Sequence, residues 1–545
     1  MKYKPAADNC PFDKIAIQGI DDEGIRYVRV KAYRKSATNL ISRPIPLKDF
    51  RGKGGAASNK LAEDGIVLFD SFPELLDQVV DLDTFQERRI ARCLGWHGEA
   101  FVCADGSFIK TASEREPIVC LPRQTALPGS SGDHGEWVAQ VANTFSGHPR
   151  AQFVMMLPFV GPLLRFANPP FNFGIELSGG PATGKTTLLL ASASSFGPVH
   201  GAQAETVMSM NATNNAVDDR MQLNRDHPLF LEEWANLMLK AGSNSGRVSA
   251  DLIFSLAGGK PRARHRSESK PHCRNVWLTT TNQPWRENSE GVDIDIARAA
   301  SDRMMTLEVN GKGYVGLFSR NEMNDSSLSD LCGQLSRATA THYGTAVEVF
   351  LQRLCQLLED EGQAHVSGYV DRKMKHFQTK VEEREEEFDD RVVANVALIY
   401  AAGEMAKNAG ALPASYKPFK AAMSALRRIC WSRNQIVTPV SMLLRLSESK
   451  KVLDLRKGLD ATRQEIDEAV CILKCNDGHE ELLLTHSQMT RLPLRQSAVV
   501  GDRAVRMSMV TEEGRLQVYR TLYPGRRERV FCFRLKELRP RQPNI

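Results

Sequence analysis

Eight consecutive residues constrain this chain more than any others: Gly179-Gly180-Pro181-Ala182-Thr183-Gly184-Lys185-Thr186 completes the pattern G-x-x-x-x-G-K-[ST]. The apolar run Phe173 to Leu177 precedes it, and the leucine-rich stretch Thr187 to Ser194 follows. That order predicts a strand, a tight turn and a helix, the opening unit of an α/β core. Glycine at 179 and 184 lets the main chain wrap closely and leaves its amides uncovered. The helix behind them turns its first N–H groups on the same point, which suits an anion. Lys185 adds a cation with the reach for β- and γ-phosphates, and the Thr186 hydroxyl suits magnesium. Gly179, Gly180, Pro181, Ala182, Thr183, Gly184, Lys185 and Thr186 are therefore the expected ATP-binding residues.

A phosphate loop alone hydrolyses nothing, and Pro228-Leu229-Phe230-Leu231-Glu232-Glu233 supplies what is missing. Burial accounts for the apolar run, whereas two acids directly after it need another reason. Glu232 is expected to hold magnesium, directly or through water, and Glu233 to orient the attacking water. A second strand, Val276 to Leu278, ends in Thr279-Thr280-Thr281-Asn282. Asn282 is expected to position water or sense the γ-phosphate, with Thr281 as its nearest substitute. Arg303 lies between Ile294–Ala300 and Met304–Val309, at the start of a strand. It is the first candidate for an arginine that reaches a neighbouring subunit's phosphate, with Arg298 and a basic loop as rivals.

The length of 545 residues predicts three or four domains. With 42% hydrophobic and 25% charged residues, disordered, collagenous and disulfide-stapled classes are excluded. Residues 1–121 read as an α+β domain with a half-buried strand over Arg26 to Ala32, a helix over Val79 to Ala91 and a hairpin turn at Asp105-Gly106. Residues 122–135 read as a linker, 136–312 as the ATPase core and 313–425 as a helical region. Within the core, Glu136 to Phe145 and Ala151 to Phe166 read as short helices. Residues 426–545 read as a basic C-terminal unit, α/β or winged-helix-like. Its end alternates at Val530, Cys532 and Arg534 after Pro524-Gly525, which predicts a hairpin. The most apolar stretch, Phe153 to Leu164, is too short to span a bilayer. Met1 to Lys14 does not read as a secretory signal, and eleven cysteines suit reduced thiols, so a cytoplasmic location is expected. Cys471, Cys475 and His479 have ligand-like spacing but no fourth member close by, and scattered thiols are the simpler account.

These elements in this order resemble the bacterial and phage P-loop family catalogued as domain-of-unknown-function 927. The likeness spans about residues 25 to 425. Beyond the loop it rests on Gly95-Trp96, Thr213-Asn214-Asn215, Leu231-Glu232-Glu233, Gly259-Lys260-Pro261-Arg262, Tyr343-Gly344-Thr345, Arg391-Val392 and Ala401-Ala402-Gly403-Glu404. Glu232 stands where that family typically has Asp, and Asn215-Ala216 replaces the more familiar Asn-Gly. The family includes self-loading replicative helicases of mobile elements, related to minichromosome-maintenance helicases. The resemblance implies an α/β P-loop NTPase core of AAA+ type, and a homo-oligomeric ring, hexameric, with arginines reaching into the neighbour's site.

Charge points to nucleic acid in two places. Gly258 to Arg274 carries Lys260, Arg262, Arg264, Arg266, Lys270 and Arg274 against Glu268 alone, a net +5. From Arg491 to Ile545 the net charge is +8, more than the +6 of the whole chain. Arg526, Arg527 and Arg529 there suit a basic hairpin tip, with Tyr519 and Tyr523 close by for stacking. The function expected is an ATP- and magnesium-dependent DNA helicase or translocase acting on single-stranded or forked DNA, with replication or defence proteins as partners. An assembly or defence switch that turns over ATP without unwinding is one alternative, and a non-catalytic DNA-binding scaffold is another.

Overall fold

Every residue of Phe173–Ser178 is buried, the mark of a strand covered on both faces. In the computed structural model it is β1 of a five-stranded sheet with β2 (Val207–Ser209), β3 (Pro228–Glu232), β4 (Val276–Thr281) and β5 (Met304–Glu308). The order across the sheet is β2-β3-β4-β1-β5, and every pairing is parallel. β4 is thus inserted between the strand that feeds the glycine turn and the strand that carries the two acids. This is a mixed α/β fold of the general P-loop, AAA+-like architecture. Its buried Glu176 is satisfied by the Thr306 hydroxyl of β5 at 2.8 Å and the Trp285 amide at 3.0 Å.

The structure describes residues 17–21, 24–33, 39–51, 55–67, 87–121, 129–168, 171–201, 206–241, 245–260, 272–285, 294–310, 313–322, 327–384, 388–434, 439–449, 451–456, 461–491, 499–500, 503–512, 515–523 and 526–538, with positions 73, 75, 79 and 292. Met1–Lys240, Asp251–Trp285 and Ser301–Cys430 form one compact unit, and Ala241–Ala250, Arg286–Ala300 and Trp431–Ile545 form another.

Within the first unit, residues 151–164 are buried without exception and form the centre of the main apolar core. Pro158 and Pro162 divide this stretch, so the single helix expected over Ala151 to Phe166 is a series of α and 3-10 turns. Glu87–Ala91, expected to be helical, is a strand. It pairs in parallel with Ile17–Ile20 on one side and Ile118–Val119 on the other, so two ladders decide its conformation. The turn at Asp105-Gly106 lies between the paired strands Ala100–Val102 and Phe108–Lys110, as expected. Gly95 and Trp96 dock on the core at the N-terminal edge of the parallel sheet. Trp96 Nε1 donates to the Pro162 carbonyl at 2.9 Å, and the Leu94 amide to that of Leu223 at 2.8 Å. Gly95 has φ +90°, and a Cβ there would lie 2.0 Å from the Arg225 carbonyl, so only glycine fits. The helical region contains Leu328–Thr341, Thr345–Glu382 with a break at Gly362, and Asp390–Asn408.

The second unit contains the expected hairpin within a larger sheet. Val518–Tyr523 and Arg526–Arg534 do pair antiparallel, but they are two of five strands, with Val452–Asp454, Cys471–Asn476 and His479–Thr485. Apolar side chains fill both faces, Leu482, Leu484, Phe531 and Phe533 on one, Ile472, Leu483, Val530 and Cys532 on the other. Asp477 and Gly478, with φ of 49° and 80°, join two of these strands in a tight turn. Cys471 is buried and Cys475 exposed on the strand Cys471–Asn476, and the exposed His479 begins the next strand; among the described residues no group of three or more His, Cys, Asp or Glu could hold a metal ion. The ten described cysteines are free thiols. No helix among the described residues is long and apolar enough to cross a membrane.

His227, directly before β3, ties the hairpin to the sheet. Its ring stacks on Phe101 at 4.9 Å, and its Nε2 bonds the Val102 carbonyl at 3.0 Å. Burial pushes its pKa down from 6.5 to about 4. Its folded form therefore contributes stability that is present above pH 6.5 and lost as pH falls through about 4. The expected result is an unfolding free energy that drops by roughly 3 kcal/mol over that interval through this group alone. Urea titrations of wild type and His227→Gln at several pH values check it, since the variant should have the flatter acid limb.

Candidate functional site

Parallel pairing brings the C-terminal ends of β1, β3 and β4 to one edge. Ser178 of β1 is level with Thr281 of β4, and Leu231 of β3 with Thr279. A cavity of about 710 Å³ opens there. It is lined by Pro181 to Thr187 on one side and by Glu233, Ala235, Asn236, Thr280, Thr281 and Asn282 on another. Leu328, Ser329 and Cys332, from the helix Leu328–Thr341, close a third side.

The turn between β1 and α1 (Lys185–Ala193) holds its shape through backbone conformation. Ala182 and Gly184 have φ of 57° and 78°, and Gly184 caps α1 in the left-handed region. Positive φ at both positions folds successive amides toward a common centre, an anion-binding concavity at a helix N-terminus. Gly179 has φ +156°, and a Cβ there would come within 2.4 Å of Val309 Cγ2. Lys185 is 7% exposed and folded back over this turn. Its ammonium donates to the Gly179 and Gly180 carbonyls, each at 2.7 Å, and to Asn282 Oδ1 at 3.3 Å. Burial lowers its pKa. The lysine of the loop and the asparagine of the inserted strand are thus in direct contact. Thr186 is exposed at the first turn of α1.

The two acids diverge. Glu232 ends β3 and shares a face with Phe230, which packs in the same core as Leu188 and Leu189 of α1. Glu233 follows with φ 58°, a left-handed conformation unusual for a glutamate, and it lines the cavity. Its amide donates to Thr280 Oγ1 at 3.1 Å, and its Oε2 accepts from Asn236 Nδ2 at 2.8 Å. Glu232 is not among the cavity-lining residues. Asn236 escaped the sequence reading. It sits one turn into the helix Trp234–Ala241, and nothing in the spacing alone shows that its amide meets a carboxylate three residues earlier.

Arginines are placed elsewhere. Among the described residues that line the cavity, Lys185 is the one basic side chain. Arg303 stands at the N-terminal start of β5, where its carbonyl accepts from the Gly174 amide and its guanidinium lies 4.9 Å from the Phe254 ring. That is the opposite edge of the sheet, about 15 Å along β1 from the glycine turn. Arg298 is exposed on the helix Ile294–Ser301, in the second unit. Lys260 is exposed just after the helix Ser245–Gly258, while Arg262, Arg264, Arg266 and Lys270 lie outside the described residues. Arg274, counted with that basic loop, is instead bonded to the buried Asp226 at 2.5 and 2.8 Å. In the second unit Arg527 and Arg529 are exposed, and Arg529 Nε donates to the Tyr519 hydroxyl at 2.7 Å. The side chains of Arg526 and Tyr523 lie outside the described residues.

Gly179→Ala should weaken binding of a fluorescent ATP analogue about tenfold or more, through strain at φ +156° and the Val309 contact. Adding Val309→Ala should recover part of that loss in the same titration, because it removes the methyl group that the new Cβ meets. No curated protein matches the chain. Among solved structures it is similar to the active helicase Cch of SCCmec type IV, with 13% identity, a TM-score of 0.58, and coverage of 97% of this chain and 94% of that one. The apo C-terminal region of NrS-1 aligns at 11% identity over 78% of this chain and 91% of that one, with a TM-score of 0.26. Residues 14–275 match the family model described as "Domain of unknown function (DUF927)", which ends before the helical region that the sequence resemblance had included.

Proposed function

We propose that this chain is a magnesium-dependent ATPase of AAA+ type that assembles as a homo-oligomeric ring, a hexamer, and acts as a DNA helicase or translocase. One observation carries the reading: Lys185, Asn282 and Glu233 line the same cavity, above the ends of three adjacent parallel strands. The shared fold with a structure of an active helicase supports the class.

In this reading the triphosphate enters the turn, and Lys185 exchanges the carbonyls of Gly179 and Gly180 for phosphate oxygens. Opposite charge then offsets the burial that lowers the pKa of this lysine. Glu233, held by Asn236, accepts a hydrogen bond from the water that attacks the γ-phosphorus in line. Asn282, at the tip of β4, contacts the γ-phosphoryl oxygens. The exposed Thr186 hydroxyl and Glu232, on the face of β3 toward α1, suit magnesium, which would neutralise charge across the β- and γ-phosphates. One lysine leaves much of the transferring charge unmatched. Arg303 is too far to help in its own subunit, so it serves a neighbour's site across the ring. Lys260 to Arg274 and the Arg527–Arg529 hairpin would track DNA phosphates.

The test is DNA-stimulated ATP turnover together with unwinding of a forked duplex. Lys185→Ala should bind no nucleotide, while Glu233→Gln should bind it and lose about a hundredfold in turnover. Asn236→Ala should lower kcat with KM little changed. Mixing inactive Arg303→Ala with inactive Lys185→Ala protein should restore turnover, because each supplies what the other lacks. Full hydrolysis by Glu233→Gln would refute the assigned chemistry, and turnover without strand separation would favour the switch.

A further inference from the structure

At the opposite edge of the parallel sheet lies a second cavity, of about 340 Å³, lined by Trp96, Gly98, Arg165, Arg225 and Arg274. Three guanidinium groups from distant parts of the sequence converge there. Arg274 precedes β4 and Arg225 precedes β3, while the half-buried Arg165 comes from the 3-10 turn Leu164–Phe166. The charge between them is unequal. Asp226, fully buried, is bonded twice by Arg274, lies 3.8 Å from Arg225 and also accepts the Trp96 amide at 3.1 Å. Among the described residues, no carboxylate lies within ion-pair distance of Arg165. Its bonds go to the Gly98 carbonyl at 2.5 Å and Gln363 Oε1 at 3.4 Å, and it lies 5.1 Å from the Trp96 ring. Asp226 and Glu99 favour its charge from farther off, yet burial still lowers its pKa.

Described partners hold each guanidinium in place. Arg225, 6% exposed, donates to the Trp96 carbonyl at 2.6 Å. Arg165 is fixed between a carbonyl and an indole, and Arg274 by a two-point bond to Asp226. Preset forks of this kind match the oxygens of a phosphate group, and no side-chain ordering is needed at the moment of binding. Trp96 itself is buried, so stacking of a base has no platform and recognition falls to the charged group alone. Arg274 is also the last cation of the basic run that starts at Lys260 in the sequence.

We infer that the cavity of Trp96, Gly98, Arg165, Arg225 and Arg274 is a phosphate-binding site separate from the nucleotide loop. Its ligand is a single phosphate group, carried by a nucleic-acid strand or by a free phosphate. Arg165 supplies the charge that Asp226 leaves unneutralised, and Arg274 links the site to the basic segment.

The experiment is arginine-specific dicarbonyl labelling of the full chain, mapped by mass spectrometry, with exposed Arg353 as the internal standard. An oligo(dT) strand is one arm and inorganic pyrophosphate the other. Labelling of Arg165 should fall at least about fivefold in one arm, as bidentate contact blocks both guanidinium edges. Protection by oligo(dT) assigns the strand as the source, and protection by pyrophosphate alone assigns the free ion. The same protection in the Lys185→Ala protein separates this site from the nucleotide loop, whatever the fate of the ATPase reading. If the strand is the source, Arg165→Gln should reduce the slope of log affinity against log salt by about 0.7. Unchanged Arg165 labelling in both arms would overturn the inference.

Discussion

The parallel register of five strands is the constraint on which the rest of this structure depends. Because β1, β3 and β4 run the same way, their last residues meet at one edge, and chemistry written far apart in sequence becomes local. The glycine turn follows Ser178, the acid pair follows Leu231, and Asn282 follows Thr281. Antiparallel pairing of any one strand would send its functional end to the far side. The contact between Lys185 and Asn282 at the tip of the inserted strand is a direct consequence of this register.

The same sheet explains why the two edges differ. At the C-terminal edge, backbone amides and one lysine face a cavity that also holds a carboxylate, an arrangement suited to a reacting phosphate. At the N-terminal edge, rigid arginines surround one saturated carboxylate, an arrangement suited to holding a phosphate without acting on it. Arg303 stands on that second edge, so any role in hydrolysis has to be played on another subunit.

Much of the core was legible because its signals are short and local. A glycine turn ending in Lys-Thr, an apolar run ending in two acids and a threonine run ending in asparagine each fit one strand end. What escaped depends on tertiary pairing. Glu87–Ala91 carries no clear period, and its strand conformation comes from partners at residues 17–20 and 118–119. Arg274 was counted with the basic run expected to meet nucleic acid because its carboxylate, Asp226, lies 48 residues away. Asn236 becomes meaningful only once Glu233 adopts its left-handed conformation. The Asp477-Gly478 turn between Cys471–Asn476 and His479–Thr485 obeys the ordinary hairpin rule, and the sequence reading passed over it.

The most direct measurement is an experimental structure with a non-hydrolysable ATP analogue and magnesium. The account predicts Lys185 Nζ bonded to the terminal phosphate and a water within ~2.6–3.2 Å of Glu233 on the opposite side of the same phosphorus. A terminal phosphate seated in the turn while Glu233 stays beyond the reach of any attacking water would contradict it.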